Sequence, residues 1–249
     1  MASYDIVLLD VEGTTTPISF VHDVLFPYIT NNVSDFLASN WSDPALQTHI
    51  CAIADQANLD AQSGISSAIP IDLLNDTPEE IRSKTLANID WQMKADRKIG
   101  ALKGLQGFMW QTGYKNGQLL GAMFSDAVMA IKRWCEKSRP VYIYSSGSVE
   151  AQKLIFGYSD HGDLSGLLSG HYDTKIGAKI ESQSYLRIAG DIGAAPGRVL
   201  FVSDNILEIR AASEAGMQTV VSVRPGNAPI PESELGAFKA VTDFMEIPL

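Results

Sequence analysis

Cysteine is nearly absent from this 249-residue sequence. The two that occur, Cys51 and Cys135, form no metal-ligand pair and no disulfide framework, which excludes a disulfide-stapled secreted domain and suits a reducing compartment. Basic residues are also few, with 19 Lys and Arg against 29 Asp and Glu and a formal net charge of -10. A nucleic-acid or anionic-membrane partner would need a basic face, so neither is expected. Long apolar runs are missing too. The run Ile6 to Leu9 is interrupted at once by Asp10, and the opening Met-Ala-Ser-Tyr-Asp lacks the basic stretch of a signal peptide. No membrane span and a cytoplasmic location are the expectation. His22, His49, His161 and His171 show no ligand spacing and read as surface or capping residues. No internal repeat or low-complexity tract occurs, and nothing demands more than a monomer.

Hydrophobic residues at 45% and charged residues at 19% mark an ordinary globular chain, long enough to bury a substantial core. Ile6 to Leu9 is the short continuous apolar run expected of a strand buried on both faces, and it ends in Asp10. Three later runs repeat the design. Val141 to Tyr144 ends in Ser145-Ser146-Gly147, Val199 to Val202 in Ser203-Asp204-Asn205, and Thr219 to Val223 in Arg224-Pro225-Gly226. Helices are predicted between them, over Ser125 to Lys137 with Ser125 or Asp126 as cap, over Ser148 to Phe156, from near Ser182, and over Asn205 to Ala215 with Gly216 closing it. Strand alternating with helix predicts an α/β fold, Rossmann-like, with a mostly parallel sheet whose ligands sit outside the carboxyl ends of the strands.

The stretch between the first two strands has no strand signal and is too long for a simple crossover. It predicts an inserted helical cap over 19–122, leaving 1–18 and 123–249 as the catalytic core. Thr77-Pro78-Glu79-Glu80 opens a helix there, with Thr77 as cap, Pro78 in the first turn and Glu80 completing a capping box. Trp91, Trp110 and the positions around Leu119 and Leu120 are expected to form the cap's small core.

Asp10-Val11-Glu12-Gly13-Thr14 is the strongest chemical signal, because it puts two carboxylates two residues apart where a buried strand ends. Both acids can approach one ligand, so that one attacks while the other moves protons. Carboxylate nucleophiles form acyl phosphates, splitting one hard displacement into two easier ones, and Asp10 is the candidate nucleophile. A carboxylate approaching a phosphate dianion requires a bridging cation, for which Asp204 offers a remote ligand. Glu208, one turn later, reads equally as a support of that site or as a surface acid. Ser145, Ser146 and the following helix N-terminus could donate to phosphate oxygens. Lys179 is the candidate neutralising charge, with Lys175 as a competitor.

This ordered set resembles the haloacid dehalogenase superfamily, in which an Asp nucleophile, a Ser/Thr, a Lys and a metal-binding acid come from successive strand ends. Most members carry Asp where this chain has Glu12. Within the superfamily, Asp10 to Ile18 with Leu25-Phe26-Pro27-Tyr28 is similar to the opening of the acireductone synthases. So are Tyr144 to Gln152, Asp173-Thr174-Lys175-Ile176-Gly177 with Lys179-Ile180-Glu181-Ser182, and Val223 to Asn227. The resemblance implies a small phosphorylated diketone, 2,3-diketo-5-methylthiopentyl-1-phosphate, as substrate, enolised and then dephosphorylated in methionine salvage. It assigns Mg2+ to Asp10, Glu12 and Asp204 and substrate contact to Ser145, Ser146 and Lys179, with Asp10, Glu12 and Lys179 catalytic. Either Glu12 or Asp10 could be the enolisation base, and Phe20, Phe26 and Trp110 could lend an apolar wall. The alternatives are a capped phosphatase with another substrate and, less favoured, a Mg2+-binding module that reports phosphorylation of Asp10.

Overall fold

A computed structural model of the chain describes residues 4–249. In chain order β1 (Ile6–Leu9) is followed by α1 (Phe26–Ser39), α2 (Pro44–Gln62), α3 (Pro78–Lys94), α4 (Gly100–Lys115) and α5 (Ser125–Glu136). Then come β2 (Val141–Tyr144), α6 (Val149–Gly157), β3 (Gly170–Tyr172), α7 (Ser182–Ile192), β4 (Val199–Ser203), α8 (Ile206–Glu214), β5 (Gln218–Ser222), α9 (Glu232–Leu235) and β6 (Ala240–Val241). The strands lie in the order β3-β2-β1-β4-β5-β6, and every pairing is parallel. This is the α/β fold expected from the alternating pattern.

The order positions the site. From β1 the chain steps outward through β2 and β3, then returns to lay β4 on the other side of β1. Ligands of open α/β sheets bind at such a reversal, outside the carboxyl ends. Leu9 is level with Ile143 of β2 and Val202 of β4, so Asp10 emerges beside the ends of both neighbours. The strands stay in place because their side chains have no exposure to lose. Val7, Leu8, Leu9, Phe201 and Val202 are all fully buried. On one face Leu8, Tyr144, Phe201, Tyr185 and Ile188 form a cluster, in which Tyr185 meets Phe201 edge-on at 5.0 Å between centroids. Trp134 of α5 is buried and its Nε1 donates to the Tyr4 hydroxyl at 2.9 Å, which donates in turn to Pro248 O at 2.7 Å.

The chain divides into two compact units, the helical Leu25–Gln118 and the sheet unit formed by Leu119–Leu249 with the chain up to Val24. In the helical unit α1 and α2 each pack against α3 and α4 around Ile29, Val33, Leu46, Ile50, Leu102 and Met109. Its local signals hold. Asp43 caps α2 by accepting from Ala45 N at 2.8 Å, and the Thr77–Glu80 capping box is formed at the start of α3. Trp110 packs against this core, but Leu119 and Leu120 belong to the sheet unit and do not contribute to it.

The structure departs from the sequence expectations in its edge strands and in one helix cap. β3 and β6 were not foreseen, because Gly170-His171-Tyr172 and Ala240-Val241 are edge strands too short to show an apolar run. Neither Ser125 nor Asp126 caps α5, whose N-cap is Phe124 without a side-chain bond. The Asp126 carboxylate is drawn away to Arg224 Nη1 and Phe244 N, both at 2.8 Å. Among the described residues no helix is long and apolar enough to cross a membrane.

Candidate active site

The exit of β1 folds back on itself within a few residues. Thr14, Thr15 and Thr16 each donate a backbone N–H to Val11 O, at 3.1, 2.9 and 2.9 Å, and Gly13 makes the turn possible with φ of +77°. This return sets the Thr14 hydroxyl between two acids. Its Oγ1 donates to Asp10 Oδ2 at 3.2 Å and accepts from Asp204 N at 3.0 Å. Asp10 itself is 4% exposed, whereas Glu12 is exposed at the mouth. The side chain two residues on therefore remains at the solvent edge while Asp10 sinks to the floor.

Lys179 meets this floor from the loop before α7. Its Nζ lies 2.5 Å from Asp10 Oδ1 and 2.6 Å from Glu208 Oε2. The loop is built to bury it: Tyr185 donates to Lys179 O at 2.6 Å, Ser184 to Ala178 O at 2.7 Å and Tyr144 to Gly177 O at 3.0 Å. Lys175, the competitor, has an 84% exposed side chain and stands 3.8 Å from Asp173. Ser203 completes the floor by donating to Glu208 Oε2 at 2.9 Å.

Beyond β2, Ser145 Oγ accepts from Gly147 N at 3.1 Å, Ser148 caps α6, and Gln152 donates to both Gly147 O and Tyr172 O at 2.9 Å. The loop is thus held open at the N-terminus of α6, where backbone donors suit an anion. Asp10, Glu12, Ser145, Ser146, Lys179, Asp204 and Glu208 line one cleft of about 520 Å³, together with Ile18, Asn205, Ile206 and residues 228–231. All six residues proposed from the sequence lie in it. Thr14 and Ser203 link the acids through their hydroxyls, a role that depends on distant contacts and leaves no pattern in the sequence, and Glu208 is a buried member of the cleft and not a surface acid. A hollow of similar volume, about 500 Å³, lies in the helical unit, but its Lys84 is held 2.6 Å from Asp76 and no strand ends there. His22 is 86% exposed beside Asp23, while His171, expected at the surface or as a cap, is half-buried against Gln152 Oε1 at 3.1 Å.

Charge in the cleft does not balance. Four carboxylates line it, Asp10, Asp204 and Glu208 within and Glu12 at the mouth, against the one ammonium of Lys179, an excess of three negative charges when all are ionised. Burial first, then repulsion from Asp10 and Glu208, pushes Asp204 up to about 7. Burial and Asp10 push Glu208 up to about 7 as well, against the pull of Lys179. Burial alone would lower Lys179, but the Asp10 and Glu208 charges outweigh it and hold the ammonium above its ordinary value.

Such a donor set fits a hard divalent cation. The oxygen donors are carboxylates at two strand ends, and a Cβ on Gly13 would fall 2.4 Å from Asp204 Oδ2, so only glycine leaves that oxygen accessible. Among the described residues no three acidic, His or Cys side chains close around a point by themselves. Mg2+ takes one or two carboxylates and fills its octahedron with water and phosphate oxygens, and Asp10 and Asp204 offer two such carboxylates in one cleft.

Comparison with known proteins agrees with this geometry. The chain matches the haloacid dehalogenase-like hydrolases over residues 4–216. It is 46% identical over 250 residues to the enolase-phosphatase E1 of Branchiostoma floridae, covering 97% of this chain and 83% of that one. It is 45% identical over 242 residues to a Vitis vinifera protein named as a probable bifunctional methylthioribulose-1-phosphate dehydratase/enolase-phosphatase E1, with 97% of this chain and 46% of that one covered. The crystal structure of the UTR4 protein of Saccharomyces cerevisiae superposes with a TM-score of 0.78 at 36% identity, over 98% of this chain and all of that one.

Proposed function

The chain belongs to the haloacid dehalogenase-like hydrolases and, within them, to the enolase-phosphatase E1 family, and from that premise we propose that it enolises 2,3-diketo-5-methylthiopentyl-1-phosphate and removes its phosphate, giving the acireductone of methionine salvage. One observation carries the reading. A single cleft holds a buried strand-end aspartate, Asp10, joined through the Thr14 hydroxyl to Asp204 and neutralised by Lys179 Nζ at 2.5 Å. The name of the Vitis vinifera relative adds support, since loss of water from methylthioribulose 1-phosphate yields the diketone phosphate this site would receive.

Asp10, Glu12 and Asp204 would hold Mg2+, with Glu208 as outer support. When bound, the ion supplies Lewis acidity that polarises the diketone and cancels charge on the phosphate oxygens. Glu12, the exposed acid of the cleft, takes the proton beside the carbonyl and passes it to the carbonyl oxygen, giving the enol. Asp10 then attacks phosphorus in line. One carboxylate oxygen forms the new O–P bond as the bond to the enolate oxygen breaks, and the departing enolate is protonated from solvent. Lys179, Ser145, Ser146 and the N-terminus of α6 hold the phosphoryl oxygens during this transfer. Water hydrolyses the acyl phosphate and restores Asp10. The helical unit Leu25–Gln118 is the inserted cap.

The test is to mix the protein with the diketone phosphate and Mg2+, following enol absorbance and free phosphate together against a chelated control. Enol followed by phosphate is expected, and Glu12→Gln should abolish the enol signal first. Phosphate without enol would reduce the reading to a phosphatase of another substrate, and neither signal would overturn it.

A further inference from the structure

The exit of β5 touches the catalytic loop at two successive carbonyls. Arg224 Nε donates to Thr14 O at 3.2 Å, and Asn227 Nδ2 donates to Gly13 O at 2.8 Å. Gly226 turns the chain between them, with φ of +86°, which brings Asn227 back onto the loop. The Arg224 guanidinium is fixed from several sides. Its Nη1 donates to Asp126 Oδ2 at 2.8 Å and Thr242 O at 3.1 Å, and its centre lies 4.4 Å from the ring centroids of both Phe124 and Phe244. Side-chain exposure is 4%.

We infer that the Arg224–Asn227 turn is a positioning clamp for the catalytic loop, setting the height of the Thr14 hydroxyl and through it the separation of Asp10 from Asp204. Burying a guanidinium is costly, and replacing Arg224 and Asp126 together by well-packed apolar side chains would be as stable or more so. What an apolar side chain cannot do is grip a carbonyl of the loop. Among the described residues Thr14 is the only one whose side chain bonds both Asp10 and the Asp204 backbone, so an error at its carbonyl reaches both acids at once. Catalytic constellations tolerate about half an ångström of such error. Neither Arg224 nor Asn227 touches substrate in this assignment; both act through the loop. The inference rests on the roles given above to Asp10 and Asp204.

Two variants test it, each assayed for kcat, KM, melting temperature and Mg2+ affinity by calorimetry without substrate. Arg224→Lys keeps the charge but loses the fork, and Asn227→Ala removes the Gly13 bond at a half-buried position, where the fold is expected to persist. Each is expected to lower kcat and Mg2+ affinity about ten-fold or more with KM little changed. The double variant should lose less than the product of the single losses, because both release the same loop. Wild-type kcat and Mg2+ affinity in both variants would overturn the clamp. So would losses that track melting temperature and vanish on cooling, which would reduce Arg224 to core packing. If the wild type itself releases no phosphate, the proposed function fails, while the Mg2+ titration, which needs no turnover, still reads the clamp.

Discussion

Each unit of the molecule buries an acid against a cation, and the two arrangements behave oppositely. In the helical unit Asp60 meets Arg97 through both carboxylate oxygens, one of them at 3.0 Å from Nη2, and accepts from Gln56 at 2.8 Å. Arg97 also covers the Trp91 ring at 4.9 Å. One acid faces one cation, and the Arg97 hydrogen bonds hold the Asp60 carboxyl below its ordinary range. In the sheet unit one ammonium, bonded to Asp10 and Glu208, stands among four acids, and two of those, Asp204 and Glu208, are pushed up to about 7. A balanced pair is complete as folded and contributes stability. An overloaded cluster is complete only when a cation or a charged ligand shares it.

The sharpest way to break this comparison is to neutralise the matching acid on each side. Asp10→Asn should reduce phosphate release about ten-thousand-fold, as loss of a covalent nucleophile does. Its melting temperature in chelator should stay level or rise, because a like charge has been removed from the cluster. A variant that still released phosphate at the wild-type rate would end the nucleophile assignment.

The two clusters should also give stability slopes of opposite sign with pH. Asp204 and Glu208 have folded values raised above the ordinary carboxylate range near 4, so their contribution is full below that range and lost as pH rises through about 7. Asp60 has a lowered folded value, so its contribution is full above the ordinary range and lost only as pH falls through that lower value. With chelator present, melting temperature should therefore decline between about pH 4 and about pH 7, from the ordinary carboxylate range up to those raised values, and level off above it. Saturating Mg2+ should flatten the decline. A flat chelated profile would show that the cluster carries no excess charge. Asp60→Asn, in contrast, should cost about 3 kcal/mol of stability by leaving Arg97 without its counter-charge, with kcat unchanged at a temperature where the variant is folded.

What the sequence made legible follows the same division. A buried parallel strand is an apolar run with polar residues after it, so Asp10, Ser145 and Asp204 could be located without any tertiary information. Thr77 and Glu80 were readable because a capping box is closed within four residues. Contacts that depend on distant chain segments left no such trace. Asp126 looks like a helix cap until Arg224, 98 residues away, takes its oxygen. Lys175 and Lys179 are equivalent by spacing and differ only in burial, 84% against 6% side-chain exposure. The edge strands β3 and β6 have no apolar run to reveal them, and the Asp60–Arg97 pair spans 37 residues with no periodic signal.

The finest test compares two glycines that share a conformation but not a neighbourhood. Gly13 has φ of +77° and Gly64, just after α2 in the helical unit, has φ of +81°, so an alanine at either pays about the same 1–2 kcal/mol for the left-handed backbone. That strain should lower the melting temperature of each by a few degrees. At Gly64 the new Cβ meets nothing within 4 Å. At Gly13 it would fall 2.4 Å from Asp204 Oδ2 and 3.1 Å from Asn227 Oδ1, so the carboxylate must swing away from Asp10 or the loop must lift. Gly13→Ala should therefore weaken Mg2+ binding about ten-fold beyond the strain it shares with Gly64→Ala, which should bind and turn over as wild type. Equal Mg2+ affinity in the two variants would mean that Asp204 does not depend on the open face of Gly13, and the carboxylate would have to reach the ion from another direction.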